Sequence, residues 1–463
     1  MSKGNAFAYM VLFGWPLLSI WLYRKKSLQL ATLITIIGGF MVLAVRTSVD
    51  FPLIPPLGKG SMPVLSAVLG CYCIKKQKIK YFDINGIIKI FVLLLFIGVF
   101  ITTELNSDRI ISGIMILPGL RIHDAISSVI GIFISIIPFF IGKQFFRKYQ
   151  DQLLMFRFIV AAGLIYSIPI LYEIRMSPQL HTMLYGYFPH TFAQQVRDGG
   201  YRAVVFMGHG LLVAFFVVIV LSAATALEKS GEKIRNFSPK MVSYYFLIVL
   251  VLCKSKAALL YGFFAFVMIK KISYKMQFRV AVILALMTLL YPSMSIMKIF
   301  PHQAIVQTAA DYLGADRASS LEFRFDNEHI LLEHARKRFF FGWGGWGRNR
   351  VYNEDTGGDE VTVDGKWIGL FGVFGFVGFI SVFGIMAVVI FRAQKAQNYL
   401  KSKNELILLS SHALLVSIIM IDQIPNSTLS SWTWLIVGAL LGRSEEIIAE
   451  SKIKRNVIRE MTS

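Results

Sequence analysis

This chain has little charge, and negative charge least of all. Only 16% of its 463 residues are charged, and 27 acidic residues stand against 48 basic ones, a net +21. Soluble domains carry about a quarter charged residues, so most of this surface is not built for water. Cysteine is nearly missing. Cys71 and Cys73 lie inside one apolar run and Cys253 ends another, which excludes a disulfide framework and leads us to expect buried free thiols. A C-x-C pair with no His or Cys cluster beside it excludes a zinc site. No Asp-rich cluster offers oxygen ligands to Mg²⁺ or Mn²⁺. No internal repeat, Pro-rich linker or low-complexity tract divides the chain. The basic residues are scattered rather than gathered into one patch, which removes nucleic acid as a partner.

What is abundant is apolar. Hydrophobic residues make up 55% of the chain and come in blocks, which points to an all-α integral membrane protein of about 12–13 transmembrane helices. The runs lie near 6–23, 28–45, 62–74, 87–103, 125–142, 153–172, 203–226, 241–253, 257–269, 279–297, 367–391, 405–422 and 430–442. The first lacks a small-residue cleavage site and is expected to be a retained helix; the 241–269 pair is short enough for a re-entrant hairpin.

Alternate loops carry the cations: Arg24–Lys26, Lys75–Lys80, Lys143–Lys148, Lys229–Lys240 with Arg235, Lys270–Lys275, Arg392–Lys403, and Arg443 with Lys452, Lys454, Arg455 and Arg459. The positive-inside rule makes these cytoplasmic, with the amino terminus periplasmic and the carboxyl terminus cytoplasmic. Loops 46–61, 104–123, 173–202 and 298–366 then face outward. One membrane domain covers 1–463, with 298–366 as its large external loop.

That rule depletes arginine outside, so the external arginines need another cause. Arg197 and Arg202 lie in GYFPHTFAQQVRDGGYRAVVFMGHG, residues 186–210. His209 follows Arg202 by seven residues, which on a helix puts both on one face, two turns apart. A second group is FRFDNEHILLEHARKR, residues 323–338, followed by GWGGWGRNR, residues 342–350. The span from Leu321 to Arg338 suits an interfacial helix with Leu321, Phe325, Leu331 and Leu332 on its apolar side and an Arg324–Glu328 pair at i,i+4. Gly342, Gly344, Gly345 and Gly347 break it. They permit close backbone approach to a ligand or tight packing on the membrane surface, while Trp343 and Trp346 can anchor at headgroup level or stack on a sugar. The run has no Lys-Ser/Thr ending and is not a P-loop. The third group is VTVDGKW, residues 361–367, where Asp364 is a candidate base.

Each has a plainer reading. Arg197 and Arg202 can snorkel to headgroups; Arg336, Lys337 and Arg338 can be a solvated charge run; Arg348 and Arg350 suit either role. His209 can be a core histidine bonded to a carbonyl, and Asp364 an N-cap for a helix beginning near Trp367. Together, arginines without a metal, one carboxylate and platform aromatics suit a site that grips a lipid diphosphate and transfers its sugar.

The stretch from Arg324 through GWGGWGRNR to DGKWIGLFGVFGFVGF resembles the signature region of the O-antigen ligase and polymerase superfamily. Gly375 and Gly378 match its Gly-x-x-Gly pair, Gly342 and Gly344 its Gly-rich stretch, and Arg324 its arginine. KSKAALL, residues 254–260, is similar to its Ser-Arg-Gly-Ala turn, and Arg197 to Gly208 to an Arg-x₁₀-Gly motif of the polymerases. Counting back from Gly375, the family's histidine falls on Asp364 and its asparagine on Gly365.

The resemblance implies a GT-C-like polymerase/ligase architecture and polymerisation of undecaprenyl-diphosphate-linked repeat units into O-antigen or exopolysaccharide at the periplasmic face of the bacterial inner membrane. Asp364 would be the base and Arg324 the second catalytic residue. Arg197, Arg202, Arg348 and His209 would bind the donor diphosphate, and Trp343, Trp346 and Tyr352 the sugar. No cofactor is required; a chain-length regulator and a flippase of the same pathway are the expected partners. Ligation of the glycan to lipid A core is the same-chemistry alternative, which the aspartate in place of histidine argues against. A flippase or exporter of lipid-linked glycans is the alternative of another class, and a structural partner subunit a third.

Overall fold

The computed structural model describes residues 4–51, 54–84, 86–197, 199–234 and 237–462. Arg235 and the side chains of Arg455 and Arg459 lie outside that description. The protein is mostly helical. In chain order the helices are α1 (Ala6–Lys25), α2 (Leu28–Leu33), α3 (Gly39–Val42), α4 (Met62–Leu69), α5 (Gly86–Leu105), α6 (Ile122–Phe145), α7 (Tyr149–Met176), α8 (Leu180–Tyr185), α9 (Gly210–Lys229), α10 (Pro239–Leu252), α11 (Lys256–Lys271), α12 (Tyr274–Ile296), α13 (His302–Leu313), α14 (Ala315–Arg336), α15 (Lys366–Ala396), α16 (Lys403–Asp422) and α17 (Ser431–Thr462). A π-helical turn joins α2 to α3 and another extends α4. Three short antiparallel hairpins complete the described elements: β1 (Ser48–Phe51) with β2 (Ile54–Gly58), β3 (Ile110–Ser112) with β4 (Met115–Leu117), and β5 (Val196–Arg197) with β6 (Gly200–Tyr201).

Among the described residues, eight helices are long and apolar enough to cross a membrane: α1, α5, α6, α7, α9, α12, α15 and α16. The segments 28–42, 62–74 and 239–252 are apolar but shorter. The runs picked out in the sequence fall largely on helix, with 203–209 and 43–45 outside it; length and hydropathy together qualify eight of them. Their outward faces are apolar too, with Met10, Phe13, Leu17, Ile90, Ile97, Ile165, Ile168 and Leu290 exposed. A water-soluble bundle reverses that polarity. At the centre, α9 is buried over nearly its whole length and packs on α7, α10, α11 and α16.

Polar contacts sort the loops into two sets. In one, Gln29 reaches Phe145, Lys143 pairs with Glu445, Arg157 with Glu232, Lys270 with Glu228 and Arg443 with Glu405. In the other, Lys59 reaches the Phe206 carbonyl, Arg202 that of Lys254, Ser431 that of Gly60 and Arg324 that of Pro425. The cationic loops form the first set, and the arginines set apart above belong to the second.

The glycines of GWGGWGRNR meet a broken helix. At Gly375 (φ 65°, ψ −164°) α15 is interrupted, about 13 Å along from its start by helical rise. The freed backbone groups are taken up by the 339–344 turn. Phe376 N–H donates to the Phe339 carbonyl (2.7 Å) and Val377 N–H to Phe340 (3.1 Å), while Gly372 and Val373 carbonyls accept from Trp343 (2.8 Å) and Gly344 (2.9 Å). Irregular backbone is tolerated inside a bilayer protein only when protein satisfies it in this way. A Cβ on Gly342 would stand 2.6 Å from Gly375 N, and one on Gly375 2.3 Å from the Phe340 carbonyl carbon. The close approach of Gly342 and Gly344 is to α15, whereas Gly347 meets the Tyr352 hydroxyl and Gly345 faces open space. Cys71 and Cys253 are buried free thiols as expected, but Cys73 is exposed, because it lies on the outward side of its helical turn.

Candidate active site

Three elements meet at the head of α15. The first is α14, which runs Ala315–Arg336 and presents Leu321, Arg324, Phe325, Glu328 and Leu331 toward one cavity at i, i+3, i+4 spacing. The second is the extended segment 361–365, held to α14 by the Asn327 side-chain carbonyl accepting Thr362 N–H (2.8 Å). The third is the turn between α16 and α17. Its Asp422 carboxylate accepts from Asn426 (2.8 Å) and Thr428 (2.6 Å), and Gln423 donates to the Thr428 hydroxyl (2.7 Å). That network holds the Asn426 and Gln423 carbonyls under Lys366 N–H (2.9 Å) and Trp367 N–H (3.2 Å) and turns the Pro425 carbonyl toward Arg324.

The resulting cavity, of ≈ 50 Å³, is lined by apolar side chains and by Arg324, Asp364, Glu328, Tyr291 and Thr362. Arg324 Nε stands 3.7 Å from Asp364 Oδ2, with both side chains about a third exposed, and its Nη1 donates to the Pro425 carbonyl (3.2 Å). Arg324 and Asp364, forty residues apart, thus share one hollow. The capping reading of Asp364 fails, since α15 starts at Lys366 with Gly365 as its N-cap and no side chain capping it.

Glu328 departs from expectation. It does not pair with Arg324; it accepts from the Tyr291 hydroxyl (2.7 Å) and the Trp367 indole N–H (3.0 Å). Burial pushes its carboxyl up to about 7, against the partial opposing pull of those two hydrogen bonds. Helical spacing marked the wrong partner because Tyr291 and Trp367 come from α12 and α15, which no i,i+4 rule can see.

Next to this cavity lies a second polar cluster. His209 is the N-cap of α9 rather than a residue within it (φ −151°, ψ 141°). Residues 203–209 are irregular, so the expected alignment of Arg202 and His209 on one helix face does not occur. Nδ1 of His209 accepts Leu211 N–H (3.0 Å), which leaves its proton on Nε2. Burial first, then the positive charges of His190, Arg202 and Arg324, press its pKa down to about 4. It is a neutral donor within electrostatic reach of both arginines. His190 packs edge-on to it (4.5 Å). The Nδ1 of His190 and both amide atoms of Gln195 are buried without a partner among the described residues. Arg202 is buried, with Nε and Nη2 both donating to the Lys254 carbonyl (3.1 Å each).

The remaining sequence candidates lie elsewhere. Arg197 is exposed on the β5–β6 hairpin and does not line the Arg324 cavity. Arg348, almost fully buried, donates to the carbonyls of Asp108 (2.9 Å) and Pro118 (3.0 Å) and to the Asp108 carboxylate (3.2 Å). It pins the 106–120 loop instead of gripping a diphosphate in this cavity. Trp343 stacks on His334 (4.3 Å), carries the Arg338 guanidinium over its ring (4.4 Å) and donates to the His334 carbonyl; its ring is already occupied. Tyr352 donates to the Gly347 carbonyl (3.1 Å). Trp346 is exposed, beside Arg121 and His123. None of the three aromatics lines the Arg324 cavity. Sequence reasoning missed Tyr291, Gln195 and the 422–428 network; the only signal for the last was polar residues crowding the end of an apolar run, DQIPNST. Comparison with models of known families finds no match for this chain, and neither does comparison with curated proteins.

Proposed function

We propose that the protein is a metal-independent glycosyltransferase that polymerises undecaprenyl-diphosphate-linked repeat units at the periplasmic face of a bacterial inner membrane. The observation that carries the reading is the meeting of Arg324 and Asp364 in one cavity, with the Arg202–His209 cluster within electrostatic reach. The acceptor hydroxyl attacks the anomeric carbon. The C–O bond to the diphosphate breaks, and the diphosphate leaves with the electron pair. The hydroxyl proton passes to Asp364, and the configuration inverts. Arg324 stabilises the developing charge, an effect worth about 3 kcal/mol for a well-placed donor in a water-poor site, and Arg202 adds its positive charge at longer range. His209 adds an uncharged N–H donor. In the substrate-free chain Arg324 faces Asp364; a bound diphosphate draws the guanidinium away and leaves the carboxylate free to accept a proton. Glu328, whose pKa of about 7 suits a general base at neutral pH, is the second carboxyl in the cavity.

The test is reconstitution with lipid-linked repeat units, following product length. A ladder of longer glycans is expected, and Arg324→Ala and Asp364→Asn are each expected to abolish it with the fold intact. Transfer only when lipid A core is supplied indicates the ligase. Translocation without bond formation indicates a flippase. Wild-type elongation in Asp364→Asn with loss in Glu328→Gln moves the base to Glu328.

A further inference from the structure

A second cleft, of ≈ 550 Å³, adjoins the Arg324 cavity and shares Thr362 and Gly365 with it. Lys366, Arg350, Asn349 and Ser427 give it polar groups, with Asn349 standing against Gly372 of α15. Its lower part follows one face of α15, where Lys366, Gly369, Leu370, Val373 and Phe374 recur at i, i+3, i+4, i+7 and i+8. The cleft therefore starts at a cation and descends an apolar wall toward the break at Gly375.

The side-chain nitrogen of Lys366 has no hydrogen-bond or ion-pair partner among the described residues, and the Asn349 side-chain amide has none either. No carboxylate lines the cleft: Asp364 faces Arg324, and Asp359 is held by Arg350 (2.8 Å). Lys366 is also the first residue of a long helix, whose N-terminal end disfavours a cation. Lys366 and Arg350 are the two cationic side chains of the cleft, and the second is paired with Asp359 (2.8 Å). The first two N–H groups of α15 are taken by the Gln423 and Asn426 carbonyls, so the attraction comes from the side chains.

We propose that this cleft binds the phosphate of a lipid, with the phosphate oxygens at Lys366 and the apolar chain along Leu370, Val373 and Phe374. A charged head over an apolar wall is the shape of an amphiphile, and the shared Thr362–Gly365 edge sets that head beside Asp364. The inference rests on the transfer reading for its purpose alone: joining two lipid-linked glycans needs two lipid phosphates, one at Arg324 and one here.

Native mass spectrometry of the purified full-length protein, titrated separately with undecaprenyl diphosphate, phosphatidylglycerol and unphosphorylated undecaprenol, tests it without any transfer assay. Two tightly held undecaprenyl diphosphates are expected on the wild type. Lys366→Gln is expected to weaken one of them by about tenfold, the scale of a lost charge-assisted contact, while Lys366→Arg retains it and undecaprenol binding is unchanged. Arg324→Ala is expected to weaken the other. Should phosphatidylglycerol be the lipid lost in Lys366→Gln, the site stands with bulk phospholipid as its occupant. Unchanged binding of both phospholipids in Lys366→Gln overturns it. A loss in Lys366→Gln with none in Arg324→Ala keeps this site and overturns the diphosphate role of Arg324.

Discussion

Replacing Glu328 with glutamine isolates one titrating group in the Arg324 cavity. In the folded chain the carboxyl is held at about 7, against an ordinary value of 4.5. That gap corresponds to about 3 kcal/mol in favour of the protonated form. The raised folded pKa sets the sign. The stabilisation is fully present below about pH 4.5, declines as pH rises, and is gone once pH passes about 7 to 8. A protonated Glu328 can donate to the Tyr291 oxygen while accepting from Trp367. A glutamine amide reproduces both contacts and cannot ionise. The wild type should therefore lose about 3 kcal/mol relative to Glu328→Gln between pH 4.5 and 8, read as diverging unfolding midpoints of the two proteins in detergent. Infrared difference spectra give the microscopic check: a carboxylic C=O band, missing in the variant, should titrate with a midpoint near 7. Parallel stability curves, or a midpoint near 4.5, refute the argument that burial controls this group.

Two further substitutions separate scaffold from site. Gly375→Ala forces a side chain onto a glycine-only backbone conformation and against the Phe340 carbonyl carbon, and should cost about 3 kcal/mol or more; a thermal midpoint equal to the wild type's contradicts the seat described for the 339–344 turn. Arg348→Ala strands the Asp108 and Pro118 carbonyls and should cost about 3 kcal/mol, lowering the thermal midpoint while lipid diphosphate binding at low temperature stays unchanged; selective loss of binding would return Arg348 to the site.

How far the sequence could be read follows from what a bilayer does to patterns. Blocks such as 87–103 and 405–422 declare helices because hydrocarbon demands apolar surface on every side. The same demand erases the stripe that in a soluble helix says which face is inward. Arg324 and Asp364 were legible because a cation or an acid among such neighbours needs a reason wherever it points. Their neighbours were not legible in the same way. Glu328 offered a local partner at one-turn spacing, and the hydrogen bonds from Tyr291 and Trp367 superseded it through contacts 37 and 39 residues away along the chain. His209 was read as part of a helix because 203–226 is unbroken in hydropathy, yet the backbone turns until Gly210; no apolar window can register where a helix starts inside protein. The glycines of GWGGWGRNR signalled a close approach correctly and left open to what, since Gly375, the other half of that crossing, lies thirty-three residues beyond Gly342. In this fold an unusual residue marks a buried polar contact or a tight crossing, and the packing of α12, α14 and α15 determines what it meets there.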